Sequence, residues 1–93
     1  MLQVSIHSPD FNSIRCTIVD FIITNFQSPF TKETLHADQS LVESRVIDSY
    51  ALVELILFLE NNWSITITDS DITHENMDSI NKIANFIIKK LQT

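Results

Sequence analysis

The chain has 93 residues, 44% of them hydrophobic, which allows one modest core and predicts a single domain over 1–93. It contains no glycine, which removes the Gly-rich phosphate loops, the dinucleotide fingerprint and the G-x-S-x-G nucleophile elbow, since each needs backbone that only glycine supplies. The formal charge of −6 is unevenly spread: nine acidic residues and one basic residue, Arg45, lie between Asp38 and Asp78, whereas 79–93 hold three lysines and no acid. Nucleic acid is a poor partner for such a middle segment, because phosphate binding is driven by Lys and Arg. Basic protein surfaces are its natural counterpart, unless the acidity serves only solubility.

Cys16 is the only cysteine, so no internal disulfide forms, and three scattered histidines give no zinc-like ligand spacing. Residues 1–7 lack the positive n-region of a signal peptide, and Asp20 and Glu54 interrupt the longest apolar stretches. A soluble, unprocessed, cytoplasmic protein is the expectation.

Ser8-Pro9-Asp10 reads as a helix start, with Ser8 as cap and Pro9 at the first helical position. The first helix is predicted from Pro9 to about Phe26, with Phe11, Ile14, Ile18, Phe21 and Ile22 on its apolar face and Ser13 and Asp20 opposite. Cys16 lies off that stripe and reads as a bystander thiol. Residues 27–47 show no sustained period and form a long connection, which Phe30, Leu35, Leu41, Val42 and Ile47 are expected to pin to the bundle.

A second helix starts at Asp48-Ser49 and continues through Glu60. At 100° per residue, Leu52, Leu55, Ile56 and Leu59 form its core face, while Tyr50, Val53 and Leu57 fall on the other side beside Glu54 and Glu60. An apolar stripe edged with carboxylates is either a docking surface or a face covered by another element. Ser64–Thr68 alternates with a period of two but has no partner strand, so it is predicted to be an extended connection with Trp63, Ile65 and Ile67 inward. Thr73 caps a short third helix. Asp78 or Ser79 starts a last one, in which Ile80, Ile83, Ala84, Ile87 and Leu91 recur and Lys89 and Lys90 complement the dipole.

Three small patterns carry no chemistry. The run from Asp69 opens like a calcium loop but has His74 at its sixth position and Ile80 at its twelfth. Asn62-Trp63-Ser64 matches a glycosylation sequon of low specificity. His7, His36 and His74 read as surface or loop residues.

By helix rules alone, Asp48-Ser49 is an ordinary cap. The run from Asp38 to Leu55, followed by Phe58-Leu59-Glu60, Trp63, Ile67-Thr68-Asp69 and the stretch from Ile72 to Ile80, resembles the acyl carrier and peptidyl carrier protein family over about residues 38–91. The resemblance implies an all-α four-helix bundle of acyl-carrier type, with three longer helices, a short third one and a long loop between helices 1 and 2. Asp48-Ser49 matches the family's D-S-L signature, in which the serine takes a covalent 4′-phosphopantetheine derived from coenzyme A. Tyr50, Val53, Glu54, Leu57 and Glu60 fall where the family's partner-recognition helix lies. The resemblance further implies a freestanding, non-catalytic carrier of thioester-bound acyl or aminoacyl groups. Its partners would be a phosphopantetheinyl transferase, an activating ligase or acyltransferase, and downstream synthase, condensation or thioesterase enzymes.

Two departures stand out. The family often has glycine shortly before the D-S pair, where this chain has Arg45 and Val46, and usually leucine after the serine, where it has Tyr50. They point toward a dedicated peptide, polyketide, lipid or D-alanyl-type pathway. The alternative from another class is a helical interaction module without a prosthetic group, in which Ser49 only caps a helix.

Overall fold

A computed structural model describes residues 10–26 and 28–92. Among these the chain forms four helices and no strand: α1 (Phe11–Asn25), α2 (Ser49–Trp63), the short α3 (His74–Met77) and α4 (Ile80–Leu91), with a 3-10 turn at Asp69–Asp71 before α3. This is the all-helical arrangement, three longer helices and one short, that the family resemblance implies.

Ile14, Ile18 and Ile22 recur every four residues on α1 and are fully buried, with Phe11 and Phe21 packed at their flanks. The cap differs from the sequence expectation. Ser8 and Pro9 lie outside the described residues, and it is Asp10 that accepts the Ser13 N–H at 2.7 Å, so the helix begins at Phe11. An aspartate here both satisfies an orphan donor and faces the positive end of the dipole.

On α2, Leu55 and Leu59 are fully buried and Leu52 and Ile56 pack against the core, the face that periodicity predicts. Phe58 stacks on Phe21 of α1 with ring centroids 4.1 Å apart, and Trp63 meets Phe58 edge-on, which ties the C-terminal halves of α1 and α2 together. Ser64 ends α2 at φ 54, and the extended stretch after it sends Ile67 into the core and packs Ile65 against it. Thr73 caps α3 and Ser79 caps α4, each accepting an N–H three residues on. α4 lies against both α1 and α3 and buries Ile80, Ile83, Ala84 and Ile87. Phe86 is buried as well, a contact that the sequence reading did not include.

The connection between α1 and α2 is pinned at Leu35, Leu41, Val46 and Ile47, all buried. Val42 departs from expectation: it is 57% exposed, and only its backbone is anchored. The anchor is Asp78, a carboxylate that is itself buried. Its Oδ1 accepts the Val42 N–H at 3.0 Å and its Oδ2 the Ser40 hydroxyl at 2.7 Å, while its main-chain carbonyl accepts the Leu41 N–H at 2.8 Å. His74 Nε2 adds a contact at 3.0 Å. Burial raises the pKa of a carboxyl, but here the Val42 and Ser40 donors, with the charges of His74 and Lys82 nearby, outweigh it and hold Asp78 below the ordinary carboxylate value. Asp78 therefore stays ionised and clamps the connection to the α3–α4 junction.

Replacing Asp78 by alanine removes the acceptor of the part-buried Val42 N–H and Ser40 hydroxyl, and urea denaturation is expected to show a loss of about 1–3 kcal/mol. The pH dependence has a definite sign. Because the folded pKa lies below the unfolded one, the contribution is complete above the unfolded value near 3.8 and is lost as pH falls through the folded value. Below about pH 4, stability should fall more steeply in the parent than in Asp78→Asn.

Candidate functional site

The head of α2 is held from behind. Val46 and Ile47 are buried, and both their N–H groups reach the Leu41 carbonyl, at 3.0 and 3.2 Å. The chain turns into them through Arg45, whose N–H donates to the Val42 carbonyl and whose φ is 61°. Left-handed backbone at a residue with a Cβ costs about 1–2 kcal/mol, which glycine avoids. The departure from the family's glycine thus coincides with a strained arginine.

Asp48 is extended, at φ −104° and ψ −174°, and accepts the Ala51 N–H at 2.8 Å as N-cap. Ser49 follows as the first helical residue. It is exposed, and among the described residues its hydroxyl has no hydrogen-bond partner. The N–H groups of Ser49 and Tyr50, part of the open first turn of α2, likewise have no protein acceptor. The reading in which Ser49 acts as the cap is overturned, because Asp48 does that work and leaves the serine free.

Ser49 opens onto a groove of about 800 Å³ walled by Val42, Glu43, Arg45, Ile47 and Leu52. No base is hydrogen-bonded to its hydroxyl, so Ser49 has nothing here to activate it as a nucleophile. No group of three or more His, Cys, Asp or Glu among the described residues is placed to hold a metal ion. Cys16 is exposed on α1, away from this groove.

Down α2 from Ser49 run Tyr50, Val53 and Leu57, at 76, 57 and 54% exposure, with Glu54 half-buried among them. No described element covers them. Val42 extends the apolar surface beside the α2 head, a residue that hydrophobicity alone had assigned to the core. Glu60 is different. Its Oε2 accepts the Ile67 N–H at 2.9 Å, so it helps fasten the extended connection after α2. No helix among the described residues is long and apolar enough to cross a membrane.

A helical bundle that presents one exposed, unactivated serine at the head of an acid-edged helix has the makings of a carrier, which is worked upon by other proteins. No family model matches the chain. It is 34% identical over 77 residues to the D-alanyl carrier protein of Streptococcus uberis, an alignment covering 82% of this chain and 96% of the relative. It is 35% identical over 52 residues, 56% of this chain and 66% of each relative, to the D-alanyl carrier proteins of two strains of Streptococcus suis. The chain therefore belongs to the acyl and peptidyl carrier protein family, among which the D-alanyl carrier proteins fall, and it is a non-catalytic carrier.

The division of labour at the α2 head has a direct test. Asp48→Ala should cost about 1 kcal/mol by removing the cap, whereas Ser49→Ala should change stability by no more than about 0.5 kcal/mol. Paired thermal melts read the difference, and equal losses would return Ser49 to a structural role.

Proposed function

We propose that this carrier holds an aminoacyl group, D-alanine by analogy with the names of its relatives, as a thioester on a 4′-phosphopantetheine arm attached to Ser49 Oγ. The observation that carries this reading is the free serine: the cap is supplied by Asp48, so the hydroxyl one residue on is exposed, unbonded and open to a wide groove. When bound, the arm supplies a flexible tether ending in a thiol, which keeps its cargo both activated and local to each docked enzyme.

Loading requires a partner transferase. Ser49 Oγ attacks the pantetheine-side phosphorus of the coenzyme A pyrophosphate and a new O–P bond forms. The P–O bond to the nucleotide breaks, 3′,5′-adenosine bisphosphate leaves, and the hydroxyl proton passes to a base on the transferase, as none is bonded to Ser49 here. The resulting phosphodiester would lie at the N-terminus of a 15-residue helix, where the open Ser49 and Tyr50 N–H groups and the dipole favour an anion. Asp48 serves the site by holding the helix head in place.

Tyr50, Val53 and Leu57 supply the apolar part of a docking surface and Glu54 its charge, with Glu60 adding charge at the far end. The partners that fit are enzymes with a basic rim: the transferase, an amino-acid-activating ligase, and a downstream acceptor enzyme. Such docking is steered by charge and released quickly, as suits a carrier that visits several enzymes. Coenzyme A and activating ligases place this traffic in the cytoplasm.

Incubation with coenzyme A and a broad-specificity phosphopantetheinyl transferase is expected to add the mass of one phosphopantetheine to the parent and nothing to Ser49→Ala. Bare protein in both, under conditions that convert an ordinary carrier, would refute the reading. For docking, Glu54→Lys is the clean variant, because Glu60 also holds Ile67. Its loading rate at limiting carrier should fall by about tenfold at low salt, and the deficit should shrink as salt is raised.

A further inference from the structure

Arg45 is the one basic residue between Asp38 and Asp78, a segment that holds nine acidic residues. It lines two open grooves that flank the α2 head, one of about 800 Å³ shared with Glu43, Asp48 and Ser49, the other of about 540 Å³ shared with Asp48, Tyr50 and Glu54. Two carboxylates thus border each groove, Glu43 and Asp48 the first, Asp48 and Glu54 the second. Yet the guanidinium forms no ion pair and no side-chain hydrogen bond among the described residues. Its backbone adopts φ 61°, so an arginine stands where a residue without Cβ would relieve strain.

A phosphodiester on Ser49 would be bordered by Glu43 and Asp48, and α2 carries no other cation near its head to offset them. A guanidinium matches phosphate oxygens with a planar fork of N–H donors, which an ammonium does not. We infer that Arg45 holds the phosphodiester that joins the arm to Ser49, a positioning role that rests on the arm being attached there. Arg45 neutralises the anion against its acidic rim and restricts the directions in which the arm leaves the α2 head. The residue offers the arm a fixed root while the thiol end stays free.

The test compares apo and holo protein by NMR, with loading verified by intact mass. In the parent, the Arg45 Nε–H resonance is expected to shift on loading, and its exchange with water to slow by about two- to fivefold at low salt, the scale of an exposed ion pair. Most of that slowing should vanish at high salt. The phosphorus-31 resonance of holo Arg45→Gln should differ from the parent's, with Arg45→Lys partly restoring it. Full loading with an unchanged Arg45 resonance would overturn this inference alone, whereas absence of loading at Ser49 would overturn it together with the reading on which it rests. Should Arg45→Gln fail to fold, the apo and holo spectra of the parent still decide.

Discussion

The structure depends on one buried carboxylate. Asp78 stands at the junction of α3 and α4, and its side chain and carbonyl together take three donors from Ser40, Leu41 and Val42. Leu41 in turn offers its carbonyl to the N–H groups of Val46 and Ile47, the last two residues before the α2 cap. A chain of hydrogen bonds therefore runs from the α3–α4 corner, through the turn at 41–45, to the backbone that presents Ser49. Without a carboxylate at 78 the Ser40 hydroxyl and the Val42 N–H would lose their acceptors, and an unpaired carboxylate buried there would be costly. The charge is tolerated because two donors of the connection and His74 of α3 surround it.

The absence of glycine gives this clamp further work. Among the described residues two turns require left-handed backbone, at Arg45 and Ser64, and neither has the residue that adopts it without strain. Ser64 closes α2 and is backed by Glu60, whose carbonyl and carboxylate receive N–H groups from Ile65 and Ile67. Arg45 is backed by buried neighbours on both sides, Leu41 and Val46. In each case strain sits where surrounding contacts leave the chain no other path. The Arg45 strain lies four residues before the exposed Ser49, and local inconsistency of this kind is what functional sites tolerate.

Much of the fold was legible. The four-residue recurrence of Ile14, Ile18 and Ile22 and the 52-55-56-59 set on α2 are direct signatures of helices with one buried face, and the structure buries those faces. The short α3 and its Thr73 cap were legible for the same reason, since capping chemistry is local. Misreadings arose where tertiary contacts decide. Val42 has the composition of a core residue, but the Asp78 clamp holds its backbone and turns its side chain outward. Glu60 reads as one more carboxylate on the α2 stripe, and its further contact with the Ile67 N–H becomes visible only from the path of the chain after Ser64. Asp78 reads only as one of two possible starts of the last helix, as nothing in a linear pattern signals that Ser40 and Val42 will converge on it.

Asp48-Ser49 is where sequence and structure meet most closely. Both residues are good caps, and a linear reading cannot tell which one serves. In three dimensions the extended conformation belongs to Asp48, so the aspartate takes the orphan N–H of Ala51 and the serine becomes the first residue of the helix. That single-residue register leaves a hydroxyl with no structural duty beside two unused N–H groups, on a helix whose outward face is apolar and acid-edged. A stability-driven sequence would have little reason to keep Tyr50, Val53 and Leu57 in water next to such a serine. Surfaces that must repeatedly meet and leave several enzymes do have a reason, since brief contact needs apolar area for recognition and charge for approach. The exposed stripe and the idle hydroxyl both fit one requirement of a carrier, that it be recognised by others and do nothing by itself.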